Sequence, residues 1–310
     1  MPETINSWLF WLFMFLRLFW VASGAGSKPA LRKATFMPIV PPLSEALQSF
    51  SAVIVTGGSS GIGKSFIELT WKLHPKAVIC NLSRHKPEGL IGGITVHHFP
   101  CDLSQPQALS AVVPEVLGLL SREAPLGRVL LVNNSGFGGY GRFPDPGVGH
   151  HTEMIDVNVR AVVELTGRLL PLLRARGGCV LTVSSLAAFQ PTPWTATYGA
   201  TKAFLLSWSL ALNEELRGTG VRALVVCPGP TGTNFFRRAG LLQGSVGSSL
   251  SQSADQVVLE AVRALGRGRS VAVTGWTNRL GAALAGLLPR VLAARLARIV
   301  LGRYRLKHVR

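Results

Sequence analysis

A short apolar run, AVIVT at 52–56, leads directly into a glycine-rich turn, TGGSSGIG at 56–63, and a helix-patterned stretch follows at 62–73. That order constrains the fold more than any other feature of the chain. A run of four to eight apolar, β-branched residues without polar alternation suits a strand buried on both faces, as strands of a parallel sheet are. Similar runs recur at 77–82, 95–99, 129–132, 180–183, 221–226 and 271–274, with helical stretches at 105–120, 151–173 and 198–216 between them. Strands alternating with helices are βαβ units, so the expected class is α/β, doubly wound, on a parallel sheet of about seven strands.

In the turn, Gly57, Gly61 and Gly63 allow the backbone to approach a pyrophosphate. Thr56, Ser59, Ser60 and Ile62 complete the loop, and the start of the following helix offers N–H groups and the positive end of its dipole. A structural turn would also use glycine, so the strand–turn–helix context carries the argument. A carboxylate at the end of the second strand would select NAD; an arginine there would pair with the extra phosphate of NADP. The chain reads NLSRH at 81–85, so Arg84 stands in that place and NADP(H) is favoured over NAD(H). Asp102, with Leu103 beside it, follows the third strand and is a candidate for the adenine edge, or equally a turn or capping acid.

YGATK at 198–202 places Tyr198 and Lys202 four apart on one helix face. A phenol ordinarily ionises near pKa 10, and an ammonium nearby would lower that value, making Tyr198 a general acid toward a carbonyl or a base toward an alcohol. Ser185, at the end of the fifth strand, could hold the substrate oxygen. Asn158 sits in the helix before that strand.

These motifs together resemble the short-chain dehydrogenase/reductase family: TGGSSGIG, Asp102, NNSG at 133–136, Asn158 in VNVRA, Ser185 in VSSLA, YGATK, and PGPTGT at 228–233. The resemblance runs from about residue 52 to 234 in order and spacing. It implies a Rossmann fold and a hydride-transferring oxidoreductase. Tyr198 would be the acid/base, Lys202 would bind the nicotinamide ribose, Ser185 would orient the carbonyl, and Asn158 would hold a water linking Lys202 to solvent. Asn133, Asn134, Ser135 and Gly136 would flank the adenosine. Pro228, Gly229 and Thr231 would shape the cofactor loop, with Thr233 meeting the carboxamide. Ser135 stands where the family usually has alanine. An epimerase or dehydratase on the same fold is an alternative, although such enzymes usually carry more chain after this point. A cofactor-binding membrane scaffold is another.

The remainder of the chain bears on partners. The sequence has 32 Lys and Arg against 15 Asp and Glu, a formal charge of +17. From residue 261 to 310 there is no acid at all. The cations there alternate with Leu, Ala, Val and Ile, which suits an anionic membrane surface better than nucleic acid, and no nucleic-acid motif is present. WLFWLFMFLRLFWVA at 8–22 is short for a spanning helix and reads as a signal-anchor, an interfacial helix or a cleaved signal peptide, the last being the weakest of the three, with a soluble helix packed on the core as the plainer alternative. Lys28, Arg32 and Lys33 after it would keep the catalytic part cytoplasmic. The expected organisation is an anchor-like segment and Pro-rich linker at 1–49, a catalytic domain at 50–278 and a basic amphipathic helical tail at 279–310, which reads as an interfacial helix or, alternatively, as a helix covering the substrate pocket. Four cysteines lack metal-ligand spacing, so no metal is expected and buried reduced thiols are. Aromatics after NNSG (Phe137, Tyr140, Phe143) and after PGPTGT (Phe235, Phe236, with Leu241 and Leu242) would wall a lipophilic substrate such as a steroid, ketosphinganine, long-chain ketoacyl or retinoid compound. A homodimer or tetramer is expected from the resemblance.

Overall fold

The computed structural model describes residues 43–233, 235 and 251–305. The apolar run at 8–22 and the connector up to residue 42, Phe236, Leu241 and Leu242, and the basic residues beyond 305 lie outside the described residues.

Seven strands form one parallel sheet in the order β3-β2-β1-β4-β5-β6-β7. They are β1 (Phe50–Thr56), β2 (Val78–Ser83), β3 (His97–Pro100), β4 (Arg128–Asn133), β5 (Gly178–Val183), β6 (Val221–Cys227) and β7 (Val271–Val273). The central strands are buried almost end to end, which explains why they read as unbroken apolar runs. Strand order reverses between β1 and β4, the point at which doubly wound sheets open a crevice at their carboxyl ends.

Helices cover both faces. On one side a core of leucines and valines joins the sheet to α3 (Pro106–Glu123), α5 (Ala161–Arg176) and the end of α6 (Ala196–Glu215). On the other, α1 (Leu43–Gln48), α2 (Gly61–Leu73) and α7 (Ala254–Gly266) pack on β1, β4, β5 and β6. The inward residues of α2, Gly63, Phe66, Ile67 and Thr70, follow helical spacing, so a single face is buried. α7 starts with a reciprocal Ser253–Gln256 capping box.

Three features depart from the sequence reading. The connector was expected to be irregular through residue 49, yet α1 occupies its end, and its Ala46 and Leu47 join the core beneath α7. The stretch expected as one helix at 151–173 begins earlier as α4 (Val148–Ile155), passes through a π turn (Asp156–Arg160) and continues as α5. α7 was not foreseen. The chain after β7 forms α8 (Trp276–Leu287) and α9 (Arg290–Arg305), separated at Pro289. Among the described residues no helix is long and apolar enough to cross a membrane.

Candidate active site

Residues that follow the ends of β1 to β6 line one cleft of about 730 Å3. Gly57 to Ile62 follow β1, Arg84 and His85 follow β2, and Asp102 follows β3, while Asn134 to Gly136, Ser185 and Pro228 to Thr231 follow β4, β5 and β6. Tyr198 and Lys202 reach the same cleft from α6. Thr233 and Leu103 also line it. Thr56, Gly63, Asn133 and Asn158 sit behind the wall rather than on it.

Those four residues brace the wall. The Thr56 hydroxyl oxygen accepts from the Asn134 and Ser135 N–H groups, both at 3.0 Å, and the Asn134 amide donates to Thr56 O at 2.9 Å, which pins the ends of β1 and β4 together. Asn133 donates to Thr166 Oγ1 at 3.0 Å within the core. At Gly63 an added Cβ would lie 2.4 Å from the Gly57 carbonyl oxygen, so only glycine permits this turn to fold against its own helix. Buried Asn81 holds the turn from below, accepting the Gly58 N–H at 2.8 Å. Ser60 precedes α2 without a side-chain cap and the first turn contains no acid, leaving the helix start facing the cleft with its N–H groups. A dinucleotide pyrophosphate fits this cradle.

Arg84 is exposed at the cleft rim, with no carboxylate among residues 83–85. Asp102 makes a turn: Oδ1 accepts the Ser104 N–H at 3.0 Å and the Ser104 hydroxyl at 2.8 Å. Burial works to raise its carboxyl, but those hydrogen bonds and the Arg84 charge outweigh it, so the group lies below the ordinary carboxylate range. Asp102 therefore acts as a turn acid while also lining the cleft.

At the reacting end, the Ser185 oxygen accepts the Ala187 N–H at 3.1 Å, and its own proton points the other way, to be donated toward the Tyr198 oxygen or a bound carbonyl. Lys202 Nζ donates to Val183 O at 2.9 Å and lies 5.8 Å from the centre of the Tyr198 ring. Burial holds the Lys202 ammonium down to about 8. The Tyr198 phenol is pushed up to about 12, chiefly by burial, with a hydrogen bond to Ser185 acting in the opposite direction. The lowering expected from Lys202 does not appear in the protein alone, where desolvation of the phenolate dominates and Tyr198 holds its proton.

Asn158 is fully buried at the π turn. Its amide brackets Phe137, with Oδ1 accepting Phe137 N–H at 3.1 Å and Nδ2 donating to Phe137 O at 3.0 Å. The second amide proton goes to Thr201 Oγ1 at 3.1 Å. Both donors are thus engaged, and Asn158 reaches the cleft through the Phe137 backbone.

Of the expected substrate walls, Phe137, Tyr140 and Phe235 line the cleft. Phe143 does not: the backbone turns between Arg142 and Asp145, carrying its ring outward to 71% exposure beside His151. Sequence reasoning missed His150, Gln190, Thr192 and Leu301. Leu301 belongs to α9, and its carbonyl accepts the Tyr140 hydroxyl at 2.8 Å across 161 residues of sequence. Nothing local in the sequence signals that meeting. Among the described residues no cluster of His, Cys, Asp and Glu could hold a metal ion.

The family model for short chain dehydrogenase matches residues 51–241. A ketoacyl reductase, HetN, of Nostoc sp. is 32% identical over 187 residues, spanning 57% of this chain and 62% of that protein. Serine 3-dehydrogenase of Rhizobium radiobacter is likewise 32% identical over 187 residues, spanning 59% of this chain and 73% of its own. Among solved structures, a short-chain dehydrogenase from Sphingobium yanoikuyae in complex with NADPH superposes with a TM-score of 0.63 at 26% identity, over 84% of this chain and 97% of that one. With the family match covering more than half the chain and the strand-end cleft built as described, the protein belongs to the short-chain dehydrogenase/reductase family of oxidoreductases.

Proposed function

We propose that the protein is an NADP(H)-dependent reductase of a lipophilic ketone or aldehyde, able to run in reverse on the corresponding alcohol. The observation that carries this reading is the convergence of Ser185, Tyr198 and Lys202 on one cleft, glycine-cradled at one end and walled at the other by Phe137, Tyr140, Leu186, Phe235 and Leu301.

The α2 start and the glycine turn would take the pyrophosphate, and Arg84 the extra phosphate that distinguishes NADP from NAD. A bound nicotinamide supplies the hydride. The chain contributes position and a proton. Ser185 Oγ donates to the carbonyl oxygen and aligns it. Tyr198, protonated at working pH, gives its Oη proton to that oxygen as negative charge develops. Lys202 keeps two N–H donors beyond the bond to Val183 O, and these would hold ribose hydroxyls. Asn158 keeps the Phe137 segment, and so the cleft wall, in register with α6.

The HetN relative is named a ketoacyl reductase, in keeping with a carbonyl substrate. The aromatic and aliphatic outer wall supports a lipophilic one. Attachment to a membrane with the catalytic part cytoplasmic rests on the 8–22 run and the cations Lys28, Arg32 and Lys33 after it.

The test is oxidation of NADPH, and separately of NADH, by detergent-purified protein offered ketosteroids, long-chain ketoacyl thioesters, ketosphinganine and retinaldehyde. Turnover with NADPH on at least one of these is expected, with Tyr198→Phe reducing it by roughly a hundredfold or more while NADPH still binds. Equal or better turnover with NADH would overturn the role given to Arg84. Full activity in Tyr198→Phe would overturn the mechanism.

A further inference from the structure

The helices after β7 are packed with small or polar residues inward and large apolar ones outward. In α8 the buried positions are Asn278 and Ala282, while Trp276, Leu280, Leu284 and Leu287 form an exposed stripe at helical spacing. Trp276 and Leu287 are 76% and 80% exposed. In α9, Ala293 is buried while Val291, Leu292, Leu296, Ile299 and Val300 are exposed. A soluble helix normally buries its aliphatic stripe, and an apolar patch spread over two adjoining elements marks a docking surface. Exposed Arg290, Arg295 and Arg298 interleave with those aliphatics.

We infer that the outward face of α8 and α9 docks on an anionic lipid surface. Charge complementarity selects this occupant. Residues 261–310 carry eleven Arg and Lys and no Asp or Glu. A second copy meeting this face about a two-fold axis would set arginine against arginine with no acid from the same segment to answer it. The chain's own 8–22 run would cover aliphatic groups but brings Arg17 and no carboxylate. A bilayer with acidic headgroups meets both demands: acyl chains for Leu, Ile and Val, phosphates for the arginines, and the interfacial depth that tryptophan prefers.

The face also adjoins the cleft. Leu301, on α9, lines it, and its carbonyl accepts the Tyr140 hydroxyl. One helix would then touch lipid on its outer side and wall the cleft on its inner side, a short route for a lipophilic compound. The docking surface stands on its own whether or not the substrate proposed above is correct, and its test needs no turnover.

The four native cysteines are buried, so a single introduced cysteine can be labelled on the native full chain. Leu284→Cys and Leu296→Cys, with Ser121→Cys on α3 as control, would carry a polarity-sensitive fluorophore. Vesicles of phosphatidylcholine alone and of phosphatidylcholine with phosphatidylglycerol would be added to each. The expected result is a blue shift at 284 and 296 on the anionic vesicles, and none at 121. The combination Arg290→Gln, Arg295→Gln and Arg298→Gln should raise the vesicle concentration for half the shift by roughly a hundredfold. Labels that stay in water while the protein is bound to vesicles would overturn the inference. So would labels already blue-shifted without vesicles: a shift lost on dilution assigns the face to a second copy, and one that persists assigns it to this chain's own residues.

Discussion

Tyr198 and Lys202 stand four apart on α6, and burial moves each toward its uncharged form: the phenol up to about 12, so that it is neutral, and the ammonium down to about 8, so that it stays mostly protonated at pH 7 but discharges readily above pH 8. This has a measurable consequence for stability. Between about 8 and 10.5 the unfolded chain holds a proton on Lys202 that the folded chain has lost, so this residue adds stability as pH rises through that window. The buried thiols work the other way. Cys80, Cys179 and Cys227 lie at about 12 and Cys101 at about 11, each against 9.0 unfolded, so the folded state loses ground as pH approaches and passes 9. The two slopes oppose each other, so the signature of Lys202 lies in a difference between wild type and variant. Lys202→Met, followed by urea unfolding at fixed pH, is expected to lose about 1 kcal/mol relative to wild type between pH 8 and pH 9. A constant difference across that range would show that the Lys202 amine keeps its ordinary ionisation in the folded protein. Residue identities here were legible from the motifs taken together, since the pair in YGATK gains its meaning only beside VSSLA, NNSG and the glycine-rich turn, whose joint resemblance to the family singles out Tyr198, Lys202 and Ser185. The direction of the phenol's shift was not, because desolvation depends on what is packed around the ring.

At the scale of elements, the turn between β1 and α2 has the least tolerance for change. Gly63→Ala would drive its Cβ to 2.4 Å from the Gly57 carbonyl oxygen, and backbone has no rotamer into which to retreat. The expected cost is about 1–3 kcal/mol of stability, with NADPH affinity lower by tenfold or more in a fluorescence titration; unchanged affinity would mean that the turn does not hold the cofactor. Strands and long helices were readable from their periodicity. α1 was hidden because a single turn and a half has no periodicity to show, and it is held by packing Leu47 under α7. α7 was visible in principle: Ser253 and Gln256 form the spacing of a capping box, and Val257, Val258, Ala261, Val262 and Leu265 follow on one face. The π turn at Asp156–Arg160 could not be read, because the partner its buried Asn158 meets, the Phe137 backbone, lies 21 residues away.

For the whole molecule, the decisive contact is the one between Tyr140 and Leu301, which joins the loop after β4 to the last described helix. Tyr140→Phe removes a hydrogen bond worth about 1 kcal/mol. Amide exchange in α9 beyond residue 298 should accelerate roughly fivefold, with the central strands unchanged, as followed by hydrogen–deuterium exchange. Uniform acceleration across the sheet would instead assign Tyr140 to global stability. By itself the sequence determined the α/β class and the family, and it named Ser185, Tyr198 and Lys202 as candidates for the reacting site, since each of these is written in local periodicity or in short motifs whose spacing is set by one turn or one helix. Only the tertiary structure decided that Asn158 is hydrogen-bonded to the Phe137 backbone, that Phe143 faces away, that desolvation dominates at the phenol in the protein alone, and that Tyr140 meets Leu301. Each of those depends on groups far apart in the chain being brought to contact distance, and distance in space is the quantity that a linear pattern of residues does not carry.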